Sequence, residues 1–146
     1  MNYITKEINK IIKDYHLKSS LLPAEKMNYL YSNIIKHYCI KNTSFIWESF
    51  KDYAYYQNSN AWSLIKDYVR ENKCIMFFNK SDDKNGFLIL NGFELQKIIE
   101  ESFGFEFYIT DENLSYLICF NHHDILYGLG KAKDWIKEVK INEFYR

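Results

Sequence analysis

Between Cys74 and Gly130 the chain sets down five short apolar runs, CIMFF, FLIL, FEFYIT, YLICF and ILYGLG. Each is too short for a helix, and turn-forming residues separate most of them. In FEFYIT, Phe105, Phe107 and Ile109 fall on one side and Glu106, Tyr108 and Thr110 on the other, the period of a strand. YLICF is apolar on both sides, as an interior strand must be. The connections DENLS and NHHD are short enough for antiparallel hairpins, and Asn85-Gly86 is a further turn signal. Only NGFELQKIIEESFG interrupts the series with helical periodicity. Asn91 is placed to cap this helix, Glu94 to complete a capping box and Gly104 to end it. KAKDWIKEVKI closes the chain with a second helix carrying Trp135, Ile136 and Val139.

The first 72 residues read differently. Ile4, Ile8, Ile11, Ile12 and Tyr15 repeat at helical spacing; a second stripe, Met27, Leu30, Ile34 and Tyr38, follows Pro23. Ser44 can cap a third helix with Trp47, Phe50 and Tyr53 or Ala54 on one side, and Ala61, Ile65, Tyr68 and Val69 form a fourth stripe. The expectation is one α+β domain over residues 1–146, with a mainly helical half (1–72) and a sheet-containing half (73–146). N-terminal helices then lead into an antiparallel or mixed sheet of about five strands with helices packed on it. The alternation of strand and helix that a dinucleotide fold requires is absent.

Cys39, Cys74 and Cys119 are odd in number, far apart and set beside apolar runs, the pattern of buried free thiols in a reducing, cytoplasmic setting. The opening MNYITKEINKII lacks the uninterrupted apolar stretch of a signal peptide, and no run reaches membrane-span length. Formal charge is zero, yet residues 1–51 hold eight lysines against four acids, and residues 94–112 hold six acids against one lysine. Such an acidic segment can steer a cationic partner.

Three constellations invite a chemical reading. Gly128-Leu129-Gly130 stands where a phosphate loop would. The dinucleotide fingerprint would need glycine at Lys133, however, and a Walker loop glycine at Ile125 and a hydroxyl at Ala132, so a tight strand-to-helix turn is expected. His122-His123-Asp124 could contribute to a metal centre if tertiary contacts completed it, since adjacent strand residues point to opposite faces and no HxH or HxxxH spacing is present. As a turn, Asn121 would open it, Asp124 would bond its amides and the histidines would be displayed for recognition. The clusters YLY (29–31) and DYAYY (52–56) could stack single-stranded bases, but two arginines and a neutral charge make nucleic acid an unfavoured partner.

FEFYITDENLSYLICFNHHDILYGLGKAKDWI, with echoes at Trp47 and NAWSLI, resembles small bacterial proteins of the toxin-immunity type, and LLPAEKMNYL is similar to the opening of the SUKH-type immunity superfamily. The resemblance covers about the last third of the chain, as the span of that string in the sequence shows. It implies a non-catalytic, cofactor-free protein that neutralises a cationic toxin domain. With the acidic segment, it nominates Glu100, Glu101, Glu106, Asp111, Glu112, His122 and His123 as partner contacts, with no catalytic residues. The alternatives are a metal-assisted hydrolase using His122, His123 and Asp124, and a nucleic-acid-binding adaptor using the basic, tyrosine-rich first half.

Overall fold

The computed structural model describes residues 3–144. Among these residues, seven strands form one sheet: β1 (Ser20–Leu22), β2 (Tyr53–Gln57), β3 (Cys74–Phe77), β4 (Gly86–Ile89), β5 (Phe107–Thr110), β6 (Tyr116–Phe120) and β7 (Ile125–Gly130). Their spatial order is β1-β4-β3-β5-β6-β7-β2, and every neighbouring pair is antiparallel. The five helices are α1 (Tyr3–Asp14), α2 (Ala24–Tyr38), α3 (Ile65–Val69), α4 (Gly92–Glu101) and α5 (Ala132–Phe144). The α+β class stands, but the expected five strands become seven, and both additions come from the first half.

The two unexpected strands close the sheet's edges. β1 pairs Ser20–Leu22 with Leu88–Gly86, where the sequence shows only a break between helices. A three-residue strand is too short to display a period. β2 replaces the expected third helix. After a 3₁₀ turn at Ile46–Ser49, Tyr53–Gln57 pairs with Leu129–Ile125 of β7, exposing Tyr53, Tyr55 and Gln57 while Ala54 and Tyr56 pack inward. Aromatic residues at period two favour a strand, and the open edge of β7 decides between the alternatives.

Strand alternation divides the core into two layers. Phe107 and Ile109 of β5, Ile118 of β6 and Leu126 of β7 meet α1, α3, α4 and α5 through Ile8, Ile65, Leu95 and Ile136. The opposite parity, Tyr108, Leu117, Cys119, Tyr127 and Leu129, meets α2 and the 3₁₀ turn through Tyr31, Ile34, Ile46 and Phe50. Helices therefore cover both faces; β5 is buried throughout and β6 everywhere except half-buried Phe120.

Buried carboxylates fasten the N-terminal segment. Asn91 Oδ1 accepts the Glu94 amide at 2.9 Å, the expected cap of α4. Glu94 does not reach back to form a capping box. Its buried carboxylate instead accepts the Lys18 and Ser19 amides and the Ser19 hydroxyl, binding the α1–β1 link to α4. Asp83, from the β3–β4 connection, accepts the Thr5 amide and hydroxyl at the start of α1, where backbone N–H groups lack helical partners. Gly128 and Gly130 serve close packing and a turn. A Cβ at Gly128 would lie 2.4 Å from Ile136 Cγ1 and 2.5 Å from the Ala132 carbonyl, and Gly130 has φ +60°.

Helix α1 ends in a Schellman motif: the Leu17 amide donates to the Ile12 carbonyl at 2.9 Å and the His16 amide to the Lys13 carbonyl at 3.3 Å. His16, exposed at the left-handed position with φ +55°, spends steric energy that glycine would not. His16→Gly is expected to stabilise the fold by about 1 kcal/mol, raising Tm by ~3 °C in a thermal melt, whereas His16→Val should lower it.

All three cysteines are buried and unpaired. Burial pushes the Cys74 thiol up to about 12 and the Cys119 thiol well above its ordinary value. Titration with Ellman's reagent should find no fast-reacting thiol in the native protein and three after denaturation.

Candidate functional site

The β6–β7 connection is a tight turn organised by Asn121. Its carbonyl accepts the Asp124 amide at 3.1 Å, and its side-chain Oδ1 accepts the amides of His123 at 3.0 Å and Ile125 at 3.1 Å. Asn121, rather than Asp124, therefore bonds the turn amides. Asp124 supplies the left-handed residue, with φ +59°. The two imidazoles project from the tip with ring centroids 4.0 Å apart, and both stand edge-on to the Trp47 indole, at 5.9 and 5.8 Å.

Glu106 holds this turn in place. It precedes β5 on the same parity as Tyr108, and only 8 % of its side chain is exposed. Oε1 accepts the Trp47 indole N–H at 3.1 Å and the Asn79 amide N–H at 2.9 Å. Oε2 accepts the His122 main-chain N–H at 2.9 Å and pairs with His122 Nδ1. Behind it, the buried Tyr108 hydroxyl donates to Asn79 Oδ1 at 2.6 Å and accepts the Trp47 amide at 3.3 Å. Burial pushes the Glu106 carboxyl up, but the His122 amide, its imidazole and the Trp47 indole more than reverse this and hold it below the ordinary glutamate value.

Next to the turn, a cleft of about 460 Å³ opens on the α1/α3/α4/α5 side of the sheet. Its apolar walls are Trp62 from the β2–α3 connection, Phe103 and Phe105 from the segment after α4, and Phe107 and Phe120 from the sheet. Glu100, Glu106, His122 and Asp124 supply its charged and titratable groups, and among the described residues no lysine or arginine lines it. A second cleft, of about 420 Å³, shares Phe103, Phe105 and Glu106 and adds Tyr3, Ser81 and Asp82.

The residues nominated from sequence separate into groups. Glu100, Glu106 and His122 share the cleft; His123 sits on Trp47 beside it. Glu106 is a buried hub and not the surface contact expected of it. Glu101 accepts the Tyr15 hydroxyl at 2.5 Å. Asp111 and Glu112 lie just past the far end of β5, Asp111 roughly 16 Å from Glu106 at about 3.3 Å per residue. There Asp111 accepts the Ser115 amide at 2.8 Å and shapes the β5–β6 turn. The acidic run in the sequence is thus two patches on opposite ends of a strand.

His122, His123 and Asp124 do not converge as ligands: among the described residues, no group of three histidine, cysteine or carboxylate side chains is arranged to hold a metal ion. The tyrosine clusters also divide, with Tyr29 exposed and Tyr31 buried under Lys80, and Tyr53 and Tyr55 displayed on edge strand β2. No motif or spacing in the sequence marks Trp47, Asn79 or Trp62 for a chemical role.

Fold and site together define a class: an antiparallel sheet covered by helices on both faces, with an acidic aromatic cleft at one sheet end beside a pinned histidine turn. The chain belongs to DUF6756, a family of unknown function, whose model matches residues 2–140. No curated protein and no solved structure matches the chain. No helix among the described residues is long and apolar enough to cross a membrane.

Removing the hub leaves buried donors without partners. Glu106→Ala is expected to cost about 3 kcal/mol, and Glu106→Gln, which turns an NH₂ toward the His122 amide, about half of that. Because the carboxyl is depressed in the folded state, its contribution is present above the unfolded glutamate pKa and fades as pH falls through the folded one. Urea unfolding should therefore show the gap between wild type and Glu106→Gln widest at neutral pH and narrowing below about pH 4.

Proposed function

We propose that this protein is a non-catalytic binding domain that neutralises a cationic toxin domain by covering it with the acidic, aromatic end of its sheet. The observation that carries the reading is the charge asymmetry of the cleft: Glu100, Glu106 and Asp124 on its lining, five aromatic rings, and, among the described residues, no lysine or arginine. A rigid aromatic surface buries large area at low entropic cost, and carboxylates at the rim speed encounter with a basic partner and suppress wrong ones. The toxin-immunity resemblance of the segment from Phe105 to Ile136 points the same way. Asp111 and Glu112 belong to the opposite end and are not contacts in this reading.

One contact favours a second reading. A buried carboxylate on the Nδ1 nitrogen of a half-exposed imidazole is the arrangement of an oriented general base. Among the described residues, no hydroxyl or thiol is hydrogen-bonded to His122, so the nucleophile would be water or a substrate group. Under that reading, His122→Ala abolishes turnover of a hydrolysable aromatic ester while partner capture persists.

The test of the binding reading is affinity capture and growth protection with purified cationic nuclease toxins, beginning with the product of the adjacent open reading frame. A salt-sensitive stoichiometric complex is expected, weakened about tenfold or more by Glu100→Gln with Asp124→Asn. Protection that survives both substitutions at full strength would sink it.

A further inference from the structure

We infer that the 460 Å³ cleft is the seat of a single arginine side chain of the protein partner, its guanidinium stacked on the aromatic walls and facing the carboxylates of Glu100 and Asp124. The inference rests on the binding reading and specifies what enters the site.

The volume, about 460 Å³, lies within the range of about 300–1,000 Å³ of small-molecule pockets and leaves ample room for one long side chain. The walls are ring faces and edges held by contacts with one another. Phe103 and Phe105 meet at 5.5 Å, and Phe107 and Phe120 at 6.3 Å, so the surface is set before any ligand arrives. Carboxylates enter from two elements, Glu100 from the last turn of α4 and Asp124 from the histidine turn. Lys97, the nearby cation on α4, pairs with Glu100 at 3.4 Å but lies over the Tyr15 ring, outside the lining. A guanidinium in the cleft would share the Glu100 carboxylate with it.

Among cationic groups this chemistry selects guanidinium. It is planar, weakly hydrated, stacks on aromatic rings and presents donors in several directions at once, whereas an ammonium is compact and strongly hydrated. Glu106 contributes field but no hydrogen-bonding room, since four donors already fill its two oxygens. The guanidinium donors are therefore directed to Glu100 and Asp124. The neighbouring 420 Å³ cleft offers Asp82 in place of these two and lacks Trp62, which makes it the internal comparison.

The probe is N-acetyl-arginine amide, titrated into the full chain and followed by ¹H–¹⁵N correlation spectra, with the citrulline and lysine analogues as controls. Expected are saturable shifts at the Trp62 indole N–H and at the amides of Phe103, Gly104 and His122–Asp124. Affinity should be on the order of millimolar, about tenfold weaker for neutral citrulline and several-fold weaker for lysine. Asp124→Asn, which keeps a residue tolerant of the left-handed conformation, and Glu100→Gln should each weaken arginine binding several-fold while the spectrum stays dispersed. Equal affinity for arginine and citrulline, no shifts, or shifts centred on Ser81–Asp82 or on Asp111–Glu112 would each overturn the inference. Arginine binding without capture of any toxin leaves the cleft's chemistry standing and removes the immunity reading. Toxin capture with an unperturbed cleft does the reverse.

Discussion

A buried glutamate is the constraint from which one end of the sheet is built. A carboxylate withdrawn from water is tolerable only when its lone pairs are filled, and Glu106 fills them from three separate parts of the chain. Trp47 comes from the 3₁₀ turn after α2, Asn79 from the link after β3, and His122 from the turn after β6. None of these is adjacent in sequence to β5, and none is a regular element with its own hydrogen-bond ladder. The carboxylate gives them one position. Tyr108 extends the arrangement inward, its hydroxyl fixing Asn79 and receiving the Trp47 amide, so the polar hub is anchored to the sheet's interior. Such networks define a single geometry when every member is satisfied, and here every oxygen of the hub is.

How much of this could be read from the residues differs between sheet and site. Strands β3 to β7 were legible because turn residues bracket short apolar runs, and β5 alternates cleanly. Edge strands β1 and β2 were not. Three residues carry no period, and YAYYQ follows an apolar run at helical spacing, so the local signal favours helix until the edge of β7 offers it partners. At the site, the histidine turn was legible from NHHD between two strands, and Asn121's part in it follows from ordinary turn chemistry. Glu106 was misplaced as a surface contact because a charged residue in an acidic run reads as solvated. Its parity with Tyr108 was the available signal, since a strand that buries Tyr108 turns Glu106 toward the same layer. What the sequence could not contain is the meeting of Trp47, Asn79 and His122, contacts that span up to 59 residues along the chain from Glu106.

The separation of the acidic run follows from the same geometry. Six acids within nineteen residues look like one electrostatic feature when written in a line. Folded, Glu94 is a buried clamp on the Lys18–Ser19 backbone, Glu101 holds Tyr15, Asp111 shapes a hairpin, and Glu100 and Glu106 reach the cleft. Net charge over a segment is therefore not the charge of any one surface of the fold. Strand and helix ends decide which acids come together, and Asp124, outside the run, joins Glu100 and Glu106 on the cleft lining.

The cleft itself is an uncovered end of the core. From Phe78 the aromatic contacts run outward through Phe105 at 5.4 Å, then from Phe105 to Phe103 at 5.5 Å, and along the sheet to Phe107 and Phe120. Phe78 and Phe107 are buried, Phe105 and Phe120 half-buried and Phe103 exposed, so burial falls from Phe78 through Phe105 to Phe103 and from Phe107 to Phe120. Helices α3 and α4 cover the middle of the sheet and stop short of this end, where Gly104, with φ +95°, turns the chain back into β5. A surface made by leaving the core open inherits the core's rigidity, and rigidity lowers the entropic cost of binding. Carboxylates from α4 and from the histidine turn convert this apolar opening into one that prefers a positive charge. The hub at Glu106 holds that turn beside the opening, so one carboxylate and its four hydrogen-bond donors fix the geometry of this end of the sheet.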